Sequence, residues 1–286
     1  MMYSHIEVVS PKTIADALKA LKDEGKRTRV VSGGTDVAVY IKDGLLKEPL
    51  LLDISHVEDL KYIREEASSI RVGAAVTLSE CLMSPLVNAH APLLNEGARE
   101  VGSLQIRNLA TLVGNVCNAS PAADTLPPLY ALEASVVLQS AMGKREMELR
   151  DFILGPRRTA RRQDELLTEV RIPKMRKGDA FFFKKLGLRS SQAISVASVA
   201  ALIRKRDNRI ALGAVGPTVI RATRAEKYLF HNVLSLKCLR RVCFLVSREA
   251  SPIDDLRGSA QYRREALWGL AYQGFYEVLR GGGLDR

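Results

Sequence analysis

Two short glycine-bearing segments carry residue types that can hold an anionic ligand. Residues 32–36 read SGGTD and residues 111–115 read TLVGN, each flanked by apolar runs. Glycine tolerates positive φ and lets a ligand approach the main chain, so successive backbone N–H groups can form an anion site. Several neutral donors of this kind can share the charge of a diphosphate without a lysine. The two segments could close on one diphosphate; two purely structural turns are the alternative.

Polar side chains in both segments add hydrogen-bonding groups. Thr35 supplies a hydroxyl and Asp36 a carboxylate, which can bind a ribose or orient its own turn, and TLVGN offers Thr111, Gly114 and Asn115. A Rossmann site requires GxGxxG at the start of a helix, and a P-loop requires GxxxxGK followed by Ser or Thr. The chain contains neither string. A nucleotide bound here would therefore use a different fold.

The cysteines and histidines do not form a metal-binding pattern. The chain has 4 Cys and 4 His, and Cys81, Cys117, Cys238 and Cys243 form no CxxC pair. Small buried hydrophobic residues are the favoured interpretation, and neither zinc nor an iron–sulfur cluster is expected in this chain. No Ser–His–Asp arrangement is recognisable either, and we predict no catalytic side chain.

Composition indicates an ordinary globular protein with a basic excess. The chain has 286 residues, 47% apolar and 26% charged, with a net charge of +11. Its basic residues are scattered, so nucleic-acid binding is not expected. The densest group is Arg157, Arg158, Arg161 and Arg162; a solvated loop is favoured over a site for phosphate or an acidic partner. No apolar run is long enough to span a membrane, the start lacks a signal-peptide layout, and a cytoplasmic location is expected.

The pattern of elements places SGGTD directly after a strand. A helix is predicted from the Thr13 cap to Gly25, followed by strands over 29–31, 49–54 and 69–76. A capping box at Thr77 and Glu80 predicts a second helix, which Pro85 ends or bends, and 92–102 predicts a third. Residues 103–125 show no sustained period, and their embedded apolar residues argue against disorder. A long loop of this kind is typical of a functional segment.

The second half predicts a separate, smaller domain. The segment ELLTEVRIP predicts a strand ending at Pro173, and the polar KMRKGD after it marks a boundary between domains 1–175 and 176–286. Two strands are predicted around a turn at 207–208. Helices are predicted near 223–231, 236–250 and 260–280, the first capped by Thr223 and Glu226.

Long segments of the chain resemble one family. VVSGGTDVAVYIKDGLLKEPLLLDIS and QIRNLATLVGNVCNASPAADTLPPLYALEASVVL are similar to the FAD-binding subunit of the molybdenum hydroxylases, of the xanthine dehydrogenase and carbon monoxide dehydrogenase type. ELLTEVRIP, FFKKLGLRSSQAISVASVAAL, IALGAVGPTVIRATRAE and YRREALWGL fit as well, so the resemblance covers essentially the whole chain. The ordered series of motifs makes it specific.

The resemblance implies an α+β flavoprotein. It consists of a PCMH-like FAD-binding domain of the vanillyl-alcohol-oxidase fold, followed by a smaller α+β domain like that of the CO dehydrogenase flavoprotein. Both glycine segments would then hold the FAD diphosphate, and Asp124 would approach the ribose or diphosphate. Leu166 and Lys185 would lie beside the flavin. The implied FAD-binding residues are Arg29, Val30, Val31, Ser32, Gly33, Gly34, Thr35, Asp36, Thr111, Leu112, Val113, Gly114, Asn115, Asp124, Leu166 and Lys185.

One position departs from the family pattern. The family usually has TxGGN in the second segment, and Val113 replaces the first of these glycines. A β-branched residue at positive φ would be strained by roughly 1–2 kcal/mol, whereas at negative φ valine costs little. The structure decides between these two cases. The cysteine-rich insertion that carries a [4Fe–4S] cluster in the benzoyl-CoA reductase branch is absent from the sequence.

The resemblance also implies partners. A molybdenum-cofactor large subunit would oxidise the substrate, a small [2Fe–2S] subunit would pass electrons on, and FAD in this chain would deliver them to NAD⁺ or another acceptor. A dimer of heterotrimers is the expected assembly. Two alternatives stay open from the sequence: a free-standing FAD-dependent oxidoreductase, and a flavin-poor scaffold subunit, which only Val113 suggests.

Overall fold

A small parallel sheet, in the order β1-β3-β2, begins the fold. The structure is a computed structural model that describes residues 6–205 and 207–281. The strands are β1 (Glu7–Val9), β2 (Thr28–Val31) and β3 (Leu50–Asp53), alternating with helices α1 (Ile14–Glu24) and α2 (Thr35–Lys42). The Thr13 hydroxyl accepts the Asp16 N–H at 3.1 Å, so α1 begins at the predicted cap. The segment SGGTD therefore joins strand β2 to helix α2.

A five-stranded antiparallel sheet follows, in the order β4-β5-β10-β6-β7. Its strands are β4 (Ile63–Glu65), β5 (Ser69–Gly73), β6 (Ser135–Ser140), β7 (Gly143–Glu148) and β10 (Leu166–Pro173). A four-residue helix α9 (Leu149–Phe152) and the hairpin β8 (Ile153–Gly155) and β9 (Arg158–Thr159) connect β7 to β10. Alternate residues of β5, such as Ile70 and Val72, are fully buried, because one face of the sheet packs on the core.

Six helices lie between β5 and β6. They are α3 (Leu78–Met83), α4 (Pro85–His90), α5 (Pro92–Arg99), α6 (Leu104–Arg107), α7 (Leu112–Asn118) and α8 (Leu126–Ala131). The Thr77–Glu80 capping box is present, and Pro85 ends α3 by starting α4. The long loop predicted at 103–125 is wrong in part, because α6 and α7 form within it. Each is too short to show a full apolar period, which is why the sequence pattern missed both.

The last part of the chain builds an antiparallel sheet in the order β11-β12-β13-β14, with three helices against it. These elements are β11 (Ala180–Gly187), β12 (Ser195–Ile203), β13 (Arg209–Gly213), β14 (Ile220–Arg221), α10 (Thr223–His231), α11 (Leu236–Glu249) and α12 (Ala260–Arg280). The strands predicted around 207–208 and the three helices are confirmed. The predicted cap is wrong: Ala222 is the N-cap of α10, and Glu226 instead accepts the N–H of Ile210 at 2.7 Å.

The third sheet is buried on both faces. Every residue of β12 is buried, as expected for a strand covered on two sides. Val199 and Ala201 pack into a core shared with α10, α11 and α12, whereas Ala200 and Leu202 pack into the larger core of the first two sheets. The two domains predicted at 1–175 and 176–286 are thus in direct apolar contact, with the boundary itself still a prediction. No helix in the described ranges has the length and apolar character required to cross a membrane.

Candidate functional site

A large cleft runs between the sheets, and both glycine segments line it. This central cleft has a volume of about 960 Å³. The residues that line it are spread along the sequence from Arg29 to Arg263, which lies on α12. Elements of all three sheets or their connections contribute, so the predicted first domain and second domain share it.

Direct backbone contact brings the two glycine segments together. A Cβ placed on Gly33 would lie 1.8 Å from the Leu109 carbonyl oxygen and 2.9 Å from the Ala110 Cα. Only glycine fits at this point, because any side chain would push the second segment away. Gly34 has φ 69°, in the left-handed region that favours glycine. Residues 32–36 and 111–115 therefore face the same space.

Both segments are loop-to-helix junctions, where simple turns were predicted. Gly34 is the N-cap of α2 and provides no side-chain cap, so the first N–H groups of this helix are left for an external acceptor. Thr111 is the N-cap of α7, and its hydroxyl accepts the Gly114 N–H at 3.0 Å. Helix N-termini carry partial positive charge and favour anions. The donor set fits a diphosphate.

A polar network joins α2 to the end of α7 along one wall of the cleft. Asn118 Nδ2 donates to Asp36 Oδ1 at 2.8 Å, while Asn118 Oδ1 accepts from Tyr40 Oη at 2.8 Å and Arg157 Nη1 at 2.7 Å. The Arg157 guanidinium also lies over the Tyr40 ring, 5.1 Å from its centroid. Burial raises the pKa of Asp36, and the charge of Arg157 opposes the rise. Asp36 thus orients its own helix, one of the two roles expected for it.

Val113 is not strained. It lies within helix α7, and it is absent from the described non-glycine residues with positive φ. Its side chain is 4% exposed and packs in the core, as does that of Leu112. Neither residue lines the central cleft, although their neighbours Thr111 and Gly114 do. The glycine that the family carries at this position is therefore not required by backbone conformation.

Asp124 connects the cleft to the last sheet. Its Oδ2 accepts from Lys185 Nζ on β11 at 2.6 Å, and its Oδ1 accepts from the Ser195 hydroxyl on β12. Lys185 Nζ also donates to the Glu100 carbonyl at 2.9 Å. Burial raises the pKa of Asp124, and the ammonium of Lys185 opposes the rise. Asp124 does not cap α8, because Thr125 is the N-cap there.

The predicted site residues divide into three groups. Those that line the central cleft are Arg29, Val30, Val31, Ser32, Gly33, Gly34, Thr35, Asp36, Thr111, Gly114, Asn115 and Asp124. Lys185 does not line it but reaches Asp124, and Leu112 and Val113 lie just behind the wall. Leu166 lies in β10 with 2% exposure, among core residues, and is not part of the lining. A flavin contact of Leu166 stays a prediction.

Several lining residues were not predicted. They include Tyr40, Asn118, Arg157 and, from the last domain, Gln192, Ala193, Ile194, Ser195, Ala214, Gly216, Pro217, Ser251, Ile253, Asp255, Arg257 and Arg263. Five described non-glycine residues have positive φ, and three of them, Arg157, Gln192 and Ala214, line the cleft. Strained backbone of this kind concentrates at functional sites. The segments that carry the family resemblance include most of these positions, but nothing in them marked the individual residues as part of a site.

Two arginines of the basic run over residues 157–162 form hydrogen bonds within the chain. Arg157 contacts Asn118 as described, and Arg161 Nη1 donates to the Glu165 carbonyl at 2.7 Å. The solvated loop favoured from the sequence fits Arg157, Arg158 and Arg162, which are exposed, whereas Arg161 is half-buried. Cys117 also lines the cleft, and burial raises the pKa of its thiol to about 11. The thiol is therefore protonated near neutral pH, in agreement with a packing role.

Sequence comparison identifies the family. The model of a family described as "FAD binding domain in molybdopterin dehydrogenase" matches residues 4–175, and "CO dehydrogenase flavoprotein C-terminal domain" matches residues 181–278. The chain belongs to this family. It is 32% identical to the nicotinate dehydrogenase FAD-subunit of Eubacterium barkeri, over 96% of each chain. It is 31% identical to the glyceraldehyde dehydrogenase medium chain of Sulfolobus acidocaldarius, over 94% of this chain and 97% of the relative.

Comparison with solved structures supports the same family. Carbon monoxide dehydrogenase from Hydrogenophaga pseudoflava contains a chain that superimposes with a TM-score of 0.93 at 27% identity, covering 98% of this chain and 99% of that one. The predicted α+β flavoprotein fold and the predicted cofactor, FAD, are confirmed. This chain is an FAD-binding subunit of the molybdenum hydroxylase family and part of an oxidoreductase.

Proposed function

We propose that this chain is the electron-transferring subunit of a molybdenum hydroxylase and that the central cleft holds its FAD. One observation supports this placement above the others. The close contact at Gly33 brings the N-termini of α2 and α7 to the same side of the cleft, although they come from separate parts of the sequence. Two converging helix N-termini with neutral donors suit a diphosphate.

The residues of the cleft bind and orient the cofactor. The free N–H groups after Gly34 and the N–H groups around Thr111 bind the diphosphate, while Asn118 fixes Asp36 and thereby the start of α2. FAD, when bound, supplies the electron exchange between redox partners, and the protein supplies orientation and electrostatics. No side chain of the cleft is required as an acid or base, which agrees with the absence of a predicted catalytic residue.

The partners follow from the same assignment. We propose that a molybdenum-cofactor subunit of a xanthine dehydrogenase-like enzyme oxidises the substrate, that a [2Fe–2S] subunit delivers the electrons to this chain, and that NAD⁺ or another acceptor removes them. The names of the relatives, "medium chain" and "FAD-subunit", support an assembly of several chains, for which a dimer of heterotrimers is proposed. Those relatives are named for glyceraldehyde, nicotinate and carbon monoxide, so the substrate is set outside this subunit.

Purification from the native source tests the proposal. The expected result is one FAD per chain, identified by mass after release, together with co-purifying chains that contain molybdenum and iron. FAD on an isolated chain that oxidises its own substrate would favour a free-standing oxidoreductase. A chain that binds no flavin, even after incubation with FAD, would favour the scaffold alternative.

A further inference from the structure

Arg263 is a buried cation in the wall of the central cleft. It lies in the first turn of α12, and its side chain is 4% exposed. Among the described residues, its Nε has no hydrogen-bond partner. Burial of a guanidinium is unfavourable unless it is well bonded, and a cation near a helix N-terminus adds repulsion. The groups that accept hydrogen bonds from Arg263 must therefore be held close to it.

Three separate segments meet at this one side chain. Arg263 Nη1 donates to the Val196 carbonyl at 3.1 Å and to the Ala214 carbonyl at 2.8 Å, and Nη2 donates to Asp255. Val196 lies on β12, Ala214 follows β13, and Asp255 lies in the loop before α12. Ala214 and Asp255 both line the central cleft. Arg263 thus joins the segments that form the second domain's wall of the cleft.

Ala214, whose carbonyl accepts from Arg263, has an unusual backbone conformation. Ala214 has φ 60°, a left-handed conformation that is unfavourable for any residue with a Cβ. Its N–H donates to the Pro121 carbonyl at 2.9 Å, in the loop that also carries Asp124. The next carbonyl, that of Val215, accepts the Ser251 N–H at 2.9 Å. The conformation of Ala214 therefore fixes one contact with the first domain and one with the loop before α12.

We propose that Arg263 is a positioning residue that shapes the second domain's wall of the central cleft for FAD, by holding Ala214 in its left-handed conformation and tying down the Asp255 loop. This inference rests on the proposed placement of FAD in that cleft. Asp255 compensates the charge: the N–H of Arg257 and the guanidinium of Arg263 lower the pKa of the Asp255 carboxyl, which keeps it ionised opposite the cation. Arg263 acts on the cofactor through these two backbone segments.

A matched arginine outside the cleft separates positioning from general stabilisation. Arg204 is also largely buried, with side-chain exposure of 10%, and it bonds Asp179 and Asp207 at 2.7 and 2.9 Å. It does not line the central cleft. R204Q therefore removes a comparable buried ion pair without touching the proposed wall, and serves as the control for R263Q.

The experiment uses the full chain, stripped of flavin and titrated with FAD. Flavin fluorescence gives Kd, thermal unfolding gives Tm, and hydrogen exchange reports the Ala214 and Ser251 amides. R263Q is expected to raise the Kd for FAD about tenfold or more and to speed exchange at both amides. R204Q is expected to lower Tm while leaving the Kd within about twofold of the wild-type value.

Two outcomes would overturn the inference: an R263Q protein that binds FAD as tightly as the wild type, or an R204Q protein that loses as much affinity. If R263Q does not fold, R263K decides between the same outcomes, because lysine keeps the charge but cannot bond both carbonyls and Asp255 in the same geometry. A different result would contradict the placement of FAD itself. That result is wild-type binding of FAD without protection of the Thr35 and Asp36 amides, the first N–H groups of α2.

Discussion

The carboxylate of Asp124 and the ammonium of Lys185 lie 2.6 Å apart across the contact between the two domains. Their side chains are only 8% and 5% exposed, so water screens the pair little. Asp124 lines the cleft, whereas Lys185 stands behind it on β11. The pair is therefore a direct link between the wall of the candidate FAD site and the position of the second domain.

Removing one partner of this pair should be more harmful than removing both. Lys185→Met leaves a buried carboxylate without its cation, and a loss of roughly 3–5 kcal/mol in the free energy of unfolding is expected. The double variant Asp124→Asn with Lys185→Met should lose less than Lys185→Met alone, and therefore less than the sum of the two single variants. Urea unfolding of the four proteins measures this coupling. Strictly additive losses would show that the pair does not link the domains.

Gly33→Ala should separate the two glycine segments. The added Cβ would meet the Leu109 carbonyl at 1.8 Å, so the backbone must move, and the FAD affinity is expected to fall by at least about tenfold. Gly269→Ala is the matched control, because a Cβ at Gly269 meets nothing within 4 Å. Its FAD affinity should be unchanged. Titration of the flavin-free proteins with FAD measures both, and wild-type affinity in Gly33→Ala would contradict the proposed cradle.

Val113→Gly should not improve FAD binding. The valine is helical and buried, so glycine would remove core contacts and loosen α7. A loss of at least about 1 kcal/mol in the free energy of unfolding is expected, because the buried valine side chain is removed from the core and glycine is a poor helix former. FAD titration and urea unfolding of the same variant test both statements. Tighter FAD binding with unchanged stability would show that valine obstructs the site.

The free energy of unfolding should fall in acid because Glu169, which does not line the cleft, becomes protonated. Glu169, 2% exposed, accepts hydrogen bonds from Arg71 Nε at 2.8 Å, Arg171 Nε at 2.8 Å and the Tyr62 hydroxyl. Burial acts to raise its pKa, but these bonds outweigh burial and lower the pKa below its usual 4.5. The stabilisation is therefore complete above pH 4.5 and is lost as the pH falls through the lowered pKa.

The Glu169 contribution can be isolated with Glu169→Gln. The wild type should exceed the variant in unfolding free energy at neutral pH, and the difference should shrink on acidification below the usual carboxyl pKa. Urea unfolding at a series of pH values measures the difference. A constant gap across the acidic range would mean that the ionisation of Glu169 does not contribute.

Local sequence signals predicted the elements better than they predicted the site. At Thr13 and Thr77, the capping residue and its hydrogen-bond partner lie within four residues of each other, and both predicted caps were correct. The glycine segments were recognisable for the same reason. Asn118 and Arg157 were missed because their contact depends on residues 39 positions apart. No local pattern encodes such a pairing.

The lining residues of the second domain were not predicted individually, for a different reason. Ala214 is an ordinary residue in the sequence, and the contacts that accompany its left-handed backbone come from Arg263 and Pro121, which are distant in the sequence. Arg263 lies in a helix whose other arginines, Arg264 and Arg280, are half-buried and exposed, so its residue type gives no hint of full burial. The helix start was predicted, but the identity of the buried arginine was not.

The lining of the central cleft, from Arg29 to Arg263, bears on when the protein acquires its cofactor. Synthesis must pass Arg263 before the last wall of the cleft can form, so the complete proposed FAD site exists only once both predicted domains have folded. A ligand that binds only the finished fold stabilises it by mass action. Cellular FAD supply would then govern how much of this subunit escapes proteolysis, and riboflavin starvation should lower its abundance before it lowers its synthesis.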